Sequence, residues 1–125
     1  MKKGGIMNFS EDRTIYEQIS EIIERDILRG DLKEDDQAPS TNQFAKVYQI
    51  NPATARKGMN LLVEEGVLYK KRGMGMFVAK GAKQIIIKKR QKVFFDEMLP
   101  QLLREAKRLD ITKEEVLEYL GKENL

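Results

Sequence analysis

Residues 50–66, INPATARKGMNLLVEEG, constrain the fold of this chain more than any other stretch, because both ends and both faces of the segment are chemically specified. Asn51 is a strong helix N-cap. Pro52 follows at the first helical position, where a missing N–H costs nothing, and Gly66 supplies the left-handed residue that ends a helix. Ala55, Met59, Leu62 and Val63 recur at helical spacing and form one buried stripe. Ala53, Thr54, Arg56, Lys57 and Asn60 then point away from it, so the exposed face carries small, hydrogen-bonding and cationic groups near its N-terminus. Such a face suits a helix whose first turn and a half lies against base edges and phosphates in a DNA major groove. A merely solvated helix face has the same composition, and the segment alone leaves both readings open.

The flanks narrow the choice. Thr14, Ile15, Tyr16 and Glu17 form a capping box, and Ile15, Ile19, Ile22, Ile23 and Ile27 follow at helical spacing until Gly30, which predicts a first helix with an isoleucine core stripe. Residues 31–39, DLKEDDQAP, read as a polar loop ending at Pro39, with Leu32 as its inward anchor. Ser40, Thr41, Asn42 and Gln43 form a second capping box, opening a helix through about Tyr48 whose Phe44, Ala45 and Val47 face inward. Two short capped helices joined by a tight turn, the second with a polar outer face, are the sequence image of a helix-turn-helix. After Gly66 the period changes. Val67, Leu68 and Tyr69 lead into Lys70, Lys71 and Arg72; Gly73-Met74-Gly75 makes a turn, and Met76, Phe77, Val78 and Ala79 return. A hairpin directly after a helix-turn-helix is a wing, whose basic tip can follow the backbone or enter the minor groove. An ordinary surface hairpin with gatekeeper lysines is the competing reading.

Chain length and composition set the outer limits. At 125 residues there is room for one small domain and an appendage, placed at residues 8–80 and 81–125. Cysteine and histidine are absent and no apolar run approaches membrane-spanning length, which removes disulfides, Cys/His metal sites and a transmembrane anchor; no cofactor is implied. The basic opening Met1-Lys2-Lys3-Gly4-Gly5-Ile6 lacks the apolar core of a signal peptide, so a cytoplasmic protein is expected. Residues 69–92 hold nine Lys/Arg and no acid, against ten Asp/Glu and four Lys/Arg in residues 10–36, an asymmetry that attracts polyanions. An enzyme is not expected. There is no phosphate loop, and the carboxylates lie on polar helix faces or at caps.

The tail carries more apolar surface than a segment of its size can bury alone. Ile85, Ile86, Ile87, Val93, Phe94, Phe95, Met98, Leu99, Leu102, Leu103, Ala106 and Leu109 make a long helical pattern, with Pro100 predicting a kink or break near residues 96–99. A last helix is predicted from the capping box at Thr112 to Glu115, carrying Val116, Leu117, Tyr119 and Leu120 and ending at Gly121. Self-association is the expected outlet, with Phe94, Phe95, Met98, Leu99, Leu102 and Leu103 at a homodimer interface. Packing of the tail back on its own winged domain is the alternative. The fold expected is therefore mostly α with a small β-hairpin: a winged helix-turn-helix followed by a short two-helix dimerisation tail.

Between Ile15 and Val78 the motifs IYEQI, GDL, PST, NPATARKGMNLLVEEG and RGMGMFV resemble the GntR family of bacterial transcription regulators, over about half of the chain. The Asn51-Pro52 helix start and a tail of fewer than fifty residues resemble the YtrA subfamily in particular. Its members pair a winged helix-turn-helix with a short two-helix dimerisation tail and are often linked to operons for ABC-type transporters. Carried over by position, the resemblance implies DNA contacts at Ser40, Thr41, Asn42, Asn51, Ala53, Thr54, Arg56, Arg72, Gly73 and Gly75, to which the exposed cation Lys57 is added. Where Asn42 and Pro52 stand, the family commonly has Arg, so two candidate bidentate guanine contacts are absent and base preference does not carry over. The resemblance implies a homodimeric, sequence-specific regulator of double-stranded DNA, a repressor that covers a pseudo-palindromic operator. No residue identifies an effector, although a groove between two tails could hold a small one. The rival function is a winged-helix module used only for protein contacts, which would show no steep salt dependence toward duplex DNA.

Overall fold

Side-chain caps set where the helices begin in the computed structural model, which describes residues 14–124. The expected domain start at residue 8 and the basic opening lie outside the described residues. Thr14 Oγ1 accepts the Glu17 N–H at 3.2 Å and Glu17 Oε1 accepts the Thr14 N–H, opening α1 at Ile15–Arg29; Gly30, with φ of 86°, ends it. Ser40 and Gln43 repeat the device for α2, Thr41–Tyr48. Asn51 Oδ1 accepts the Ala53 N–H at 2.7 Å and starts α3, Pro52–Glu64, which Gly66 follows at φ of 81°. Each of these starts lies where local chemistry predicts it.

The three helices close around one core. Ile19, Ile22, Ile23 and Ile27 of α1, Phe44 and Ala45 of α2, and Ala55, Met59 and Leu62 of α3 are all buried. Leu32 packs against this core from the loop and Val63 from α3. The helices α1 and α3 approach closely at Gly58, where an added Cβ would lie 2.7 Å from the Tyr16 carbonyl oxygen and 2.9 Å from Ile19 Cγ2. Two inward expectations fail. Val47 is 65% exposed, because α2 packs through Phe44, Ala45 and Tyr48 and Val47 lies roughly 100° around the helix from Tyr48. Ile15, at the first position of α1, is 46% exposed, before the stripe that begins at Ile19.

The wing consists of β1, Leu68–Lys71, and β2, Gly75–Val78, paired antiparallel from Leu68↔Val78 to Lys71↔Gly75. A third segment joins it, which the polar loop sequence did not foretell. Asp35 N–H donates to Val78 O at 2.8 Å, Val78 N–H to Asp36 O at 2.9 Å and Ala38 N–H to Met76 O at 2.9 Å, with Gln37 opposite Phe77.

Beyond the wing come α4, Ala82–Val93, a π-helical turn at Phe94–Met98, α5, Leu99–Arg108, and α6, Lys113–Gly121. Pro100 lacks an N–H and its ring crowds the carbonyl of Asp96, four residues back. The break expected there takes the form of the π-helical turn, in which the Leu99 N–H reaches Phe94 O. Thr112 and Glu115 cap α6. The described residues fall into two compact units that part between Ile87 and Lys88, seven residues past Lys80, because Ala82 and Ile86 are wholly buried in the first unit's core. In the second unit Ala106 is buried, while Phe94, Phe95, Met98, Leu102 and Leu103 are exposed and Leu99 is half-buried.

Candidate nucleic-acid interface

Burial of one face of α3 fixes what the other face can offer. With Ala55, Gly58, Met59 and Leu62 turned to the core, Ala53, Arg56 and Lys57 are exposed and Thr54 is half-exposed over the first two turns. The Arg56 guanidinium has no ion-pair partner among the described residues. Lys57 is differently placed: its ammonium lies 4.3 Å from the centre of the Tyr16 ring, a cation–π contact that draws it toward α1. Tyr16, Ala53, Arg56, Lys57, Asn60, Leu61 and Glu64 border an open hollow of about 410 Å³, and the buried Asn60 Oδ1 has no hydrogen-bond partner among the described residues.

The other residues expected at DNA divide by what their side chains already do. Ser40 and Asn51 spend their oxygens on caps, and the Thr41 hydroxyl turns to Met59 Sδ at 3.8 Å, whereas the Asn42 side chain is exposed. At the wing tip Lys70, Lys71, Arg72, Gly73 and Gly75 are all exposed. The Met74 N–H closes a four-residue turn onto Lys71 O at 2.9 Å, and Gly73, its third residue, has φ of 74°, which a β-carbon would oppose. Lys71 folds its ammonium to 4.6 Å from the Phe77 ring, whereas Lys70 and, at the turn itself, Arg72 are exposed cations. The segments 40–42, 51–57 and 72–75 all belong to the first unit.

Two contributors lie outside the sequence-predicted set. The Gln37 side-chain amide donates to Met74 O at 2.7 Å, and the Tyr69 hydroxyl donates to Asp35 Oδ1 at 2.8 Å. That hydrogen bond holds the Tyr69 phenol above its ordinary pKa, with burial and the Asp35 charge adding to the shift. The one sequence signal for this pairing is Pro39, which biases the residue before it toward extended backbone. In the second unit Met98, Leu102, Ala106, Leu109, Val116 and Tyr119 border an open cleft of about 940 Å³. Among the described residues no three His, Cys, Asp or Glu side chains cluster as a metal would require, and no helix is long and apolar enough to cross a membrane.

Residues 15–78 match the family described as bacterial regulatory proteins, gntR family. Over 106 residues the chain is 29% identical to the HTH-type transcriptional repressor YtrA of Bacillus subtilis, covering 85% of this chain and 81% of that one. A crystal structure of a GntR-family transcriptional regulator from Bacteroides thetaiotaomicron is 33% identical and superposes with a TM-score of 0.69, over 89% of this chain and all of that one. AraR(DBD), solved in complex with operator ORX1, is 32% identical with a TM-score of 0.52, over 58% of this chain and 89% of that one.

Proposed function

The chain belongs to the gntR family of bacterial regulatory proteins, and from that premise we propose that it is a sequence-specific, double-stranded DNA-binding transcription regulator acting in the cytoplasm. The observation that carries this reading is the division of α3, whose Ala55, Met59 and Leu62 are buried while Ala53 and Arg56 are exposed and Thr54 half-exposed over its first two turns. Thr54 offers a hydroxyl and a methyl; Arg56 offers a planar fork that suits guanine or phosphate. Ser40, Thr41, Asn42 and Asn51 lie at helix starts, where backbone N–H groups and short polar side chains can meet phosphates. Arg72, Gly73 and Gly75 supply the wing, and Lys57 adds local positive potential.

The unit from Lys88 onward supports a homodimer through Phe94, Phe95, Met98, Leu99, Leu102 and Leu103, which pairs two winged units on a pseudo-palindrome. Half-sites about 10 bp apart follow from that symmetry. YtrA is named as a repressor, and repression by covering the operator, with a transporter operon as target, is the form of regulation proposed here. No enzymatic step and no effector are part of the proposal.

Footprinting on the chain's own promoter, with competition by random DNA, tests it. The expected footprint is symmetric, and Arg56→Ala weakens specific binding by about 1–3 kcal/mol if the fork reads a base. Equal loss on specific and random duplexes assigns Arg56 to phosphate. An unsymmetrical single half-site, or an Arg56→Ala protein with unchanged affinity for every duplex, contradicts the assignment of α3 as the reading helix.

A further inference from the structure

A hairpin of two four-residue strands is marginal by itself, so something must hold the wing against the rest of the unit. Residues 35–38 do this for most of its length, through backbone bonds to Val78 and Met76. Those bonds stop short of the tip. Beyond Met76 the turn is held by its own bond from Met74 N–H to Lys71 O, by the Lys71↔Gly75 pair and by a side chain from outside the hairpin, the amide of Gln37, which donates to Met74 O at 2.7 Å. Gly75 leaves the space through which that amide passes: a Cβ there would lie 2.9 Å from Gln37 Nε2.

We propose that Gln37 is a positioning residue for DNA binding, fixing the Met74 peptide so that Arg72 projects from the wing in one direction relative to the start of α2. The inference rests on the DNA-binding reading above. Gln37 is two residues before Pro39 and three before Ser40, the N-cap of α2. One short segment therefore registers the wing tip against the helix-turn-helix. Without the clamp the tip samples several directions, and Arg72 must be ordered when it meets a phosphate, a cost subtracted from affinity. Gln37 itself need not touch DNA.

Fluorescence anisotropy with a labelled random-sequence duplex, across a salt series, gives the first test. Gln37→Leu keeps the side chain's approximate size and removes the donor; because Gln37 is exposed, the core is untouched. Binding is expected to weaken about two- to tenfold. The double variant of Gln37→Leu with Arg72→Ala is expected to bind no more weakly than Arg72→Ala alone, since the clamp acts through Arg72. Wild-type affinity in Gln37→Leu, or a double variant whose loss is the product of the two single losses, overturns the proposal.

Amide exchange in the DNA-free protein provides a readout that general destabilisation would not imitate. The Met74 N–H, which donates to Lys71 O inside the turn that Gln37 holds through Met74 O, should exchange faster in Gln37→Leu while amides of α1, α2 and α3 keep their protection. Unchanged Met74 protection, or equal loss across the helices, counts against the clamp. If the wild-type chain binds no duplex at low salt, the DNA reading is what fails, and the exchange measurement still decides whether Gln37 holds the turn.

Discussion

The two units use the same kinds of residue to opposite effect. In the unit up to Ile87, isoleucines, leucines and one phenylalanine from three helices, the wing and the first part of α4 meet in a single core, and Ile19, Leu62, Val67 and Ile86 have no exposure at all. In the unit from Lys88, Phe95, Leu117, Tyr119 and Leu120 are each more than half exposed, and among the described residues Ala106 alone is buried. Chains below roughly 40 residues seldom bury enough to fold without disulfide, metal or oligomerisation, and the second unit falls in that range with no cysteine or histidine. Apolar content is therefore a poor guide to what is core. The first unit is finished by its own chain, and the second is proposed to be finished by a second copy.

The sharpest way to break this contrast is one substitution made in each unit. Ile86→Asp puts a carboxylate into a closed core and should unfold the first unit, with a loss above about 4 kcal/mol in chemical denaturation. Phe95→Asp, nine residues later, should leave the unfolding of the first unit unchanged and abolish self-association by sedimentation. If Phe95→Asp unfolds the first unit as well, the division between the units is wrong.

A smaller effect is expected at Gly58. Glycine to alanine inside a helix ordinarily stabilises by roughly 1 kcal/mol. Here the new methyl meets the Tyr16 carbonyl and the Ile19 side chain, so Gly58→Ala should instead destabilise by about 1–3 kcal/mol through overpacking. A raised denaturation midpoint would mean that α1 and α3 have room to part.

These sites divide by whether their cause is local. Capping at Thr14, Ser40, Asn51 and Thr112 was legible in the sequence because cap and partner are two or three residues apart. The isoleucine stripe of α1 was legible because period alone carries it. Gly58 was not, since only the approach of a second helix gives it meaning. Gln37 lies in a polar run with no period, and its partner Met74 is 37 residues away. Val47 shows the converse: apolar type alone does not turn a residue inward on an eight-residue helix whose packed face is already defined by Phe44, Ala45 and Tyr48. Pro100 announced a disturbance, but not that a π-helical turn would absorb it. Among the DNA-facing candidates the types were readable and their prior commitments were not, as the Ser40 and Asn51 caps and the Lys57–Tyr16 contact make plain.

The smallest predicted change is at the turn between α2 and α3, where Gln49 holds a left-handed backbone with φ of 55°. Gln49→Gly removes about 1–2 kcal/mol of steric strain against an entropic cost of roughly 0.5–1 kcal/mol. A net gain below about 1 kcal/mol is expected in the first unit's stability, with self-association unaltered. A loss of stability would show that the Gln49 side chain contributes more than its backbone costs.

Sedimentation of the full chain beside a chain ending at Ile87 tests the central contrast most directly. A dimer is expected for the full chain at micromolar concentration, and a folded monomer for the shortened one, which keeps Ala82 and Ile86 in its core. A monomeric full chain, or a shortened chain that still dimerises, would contradict that contrast.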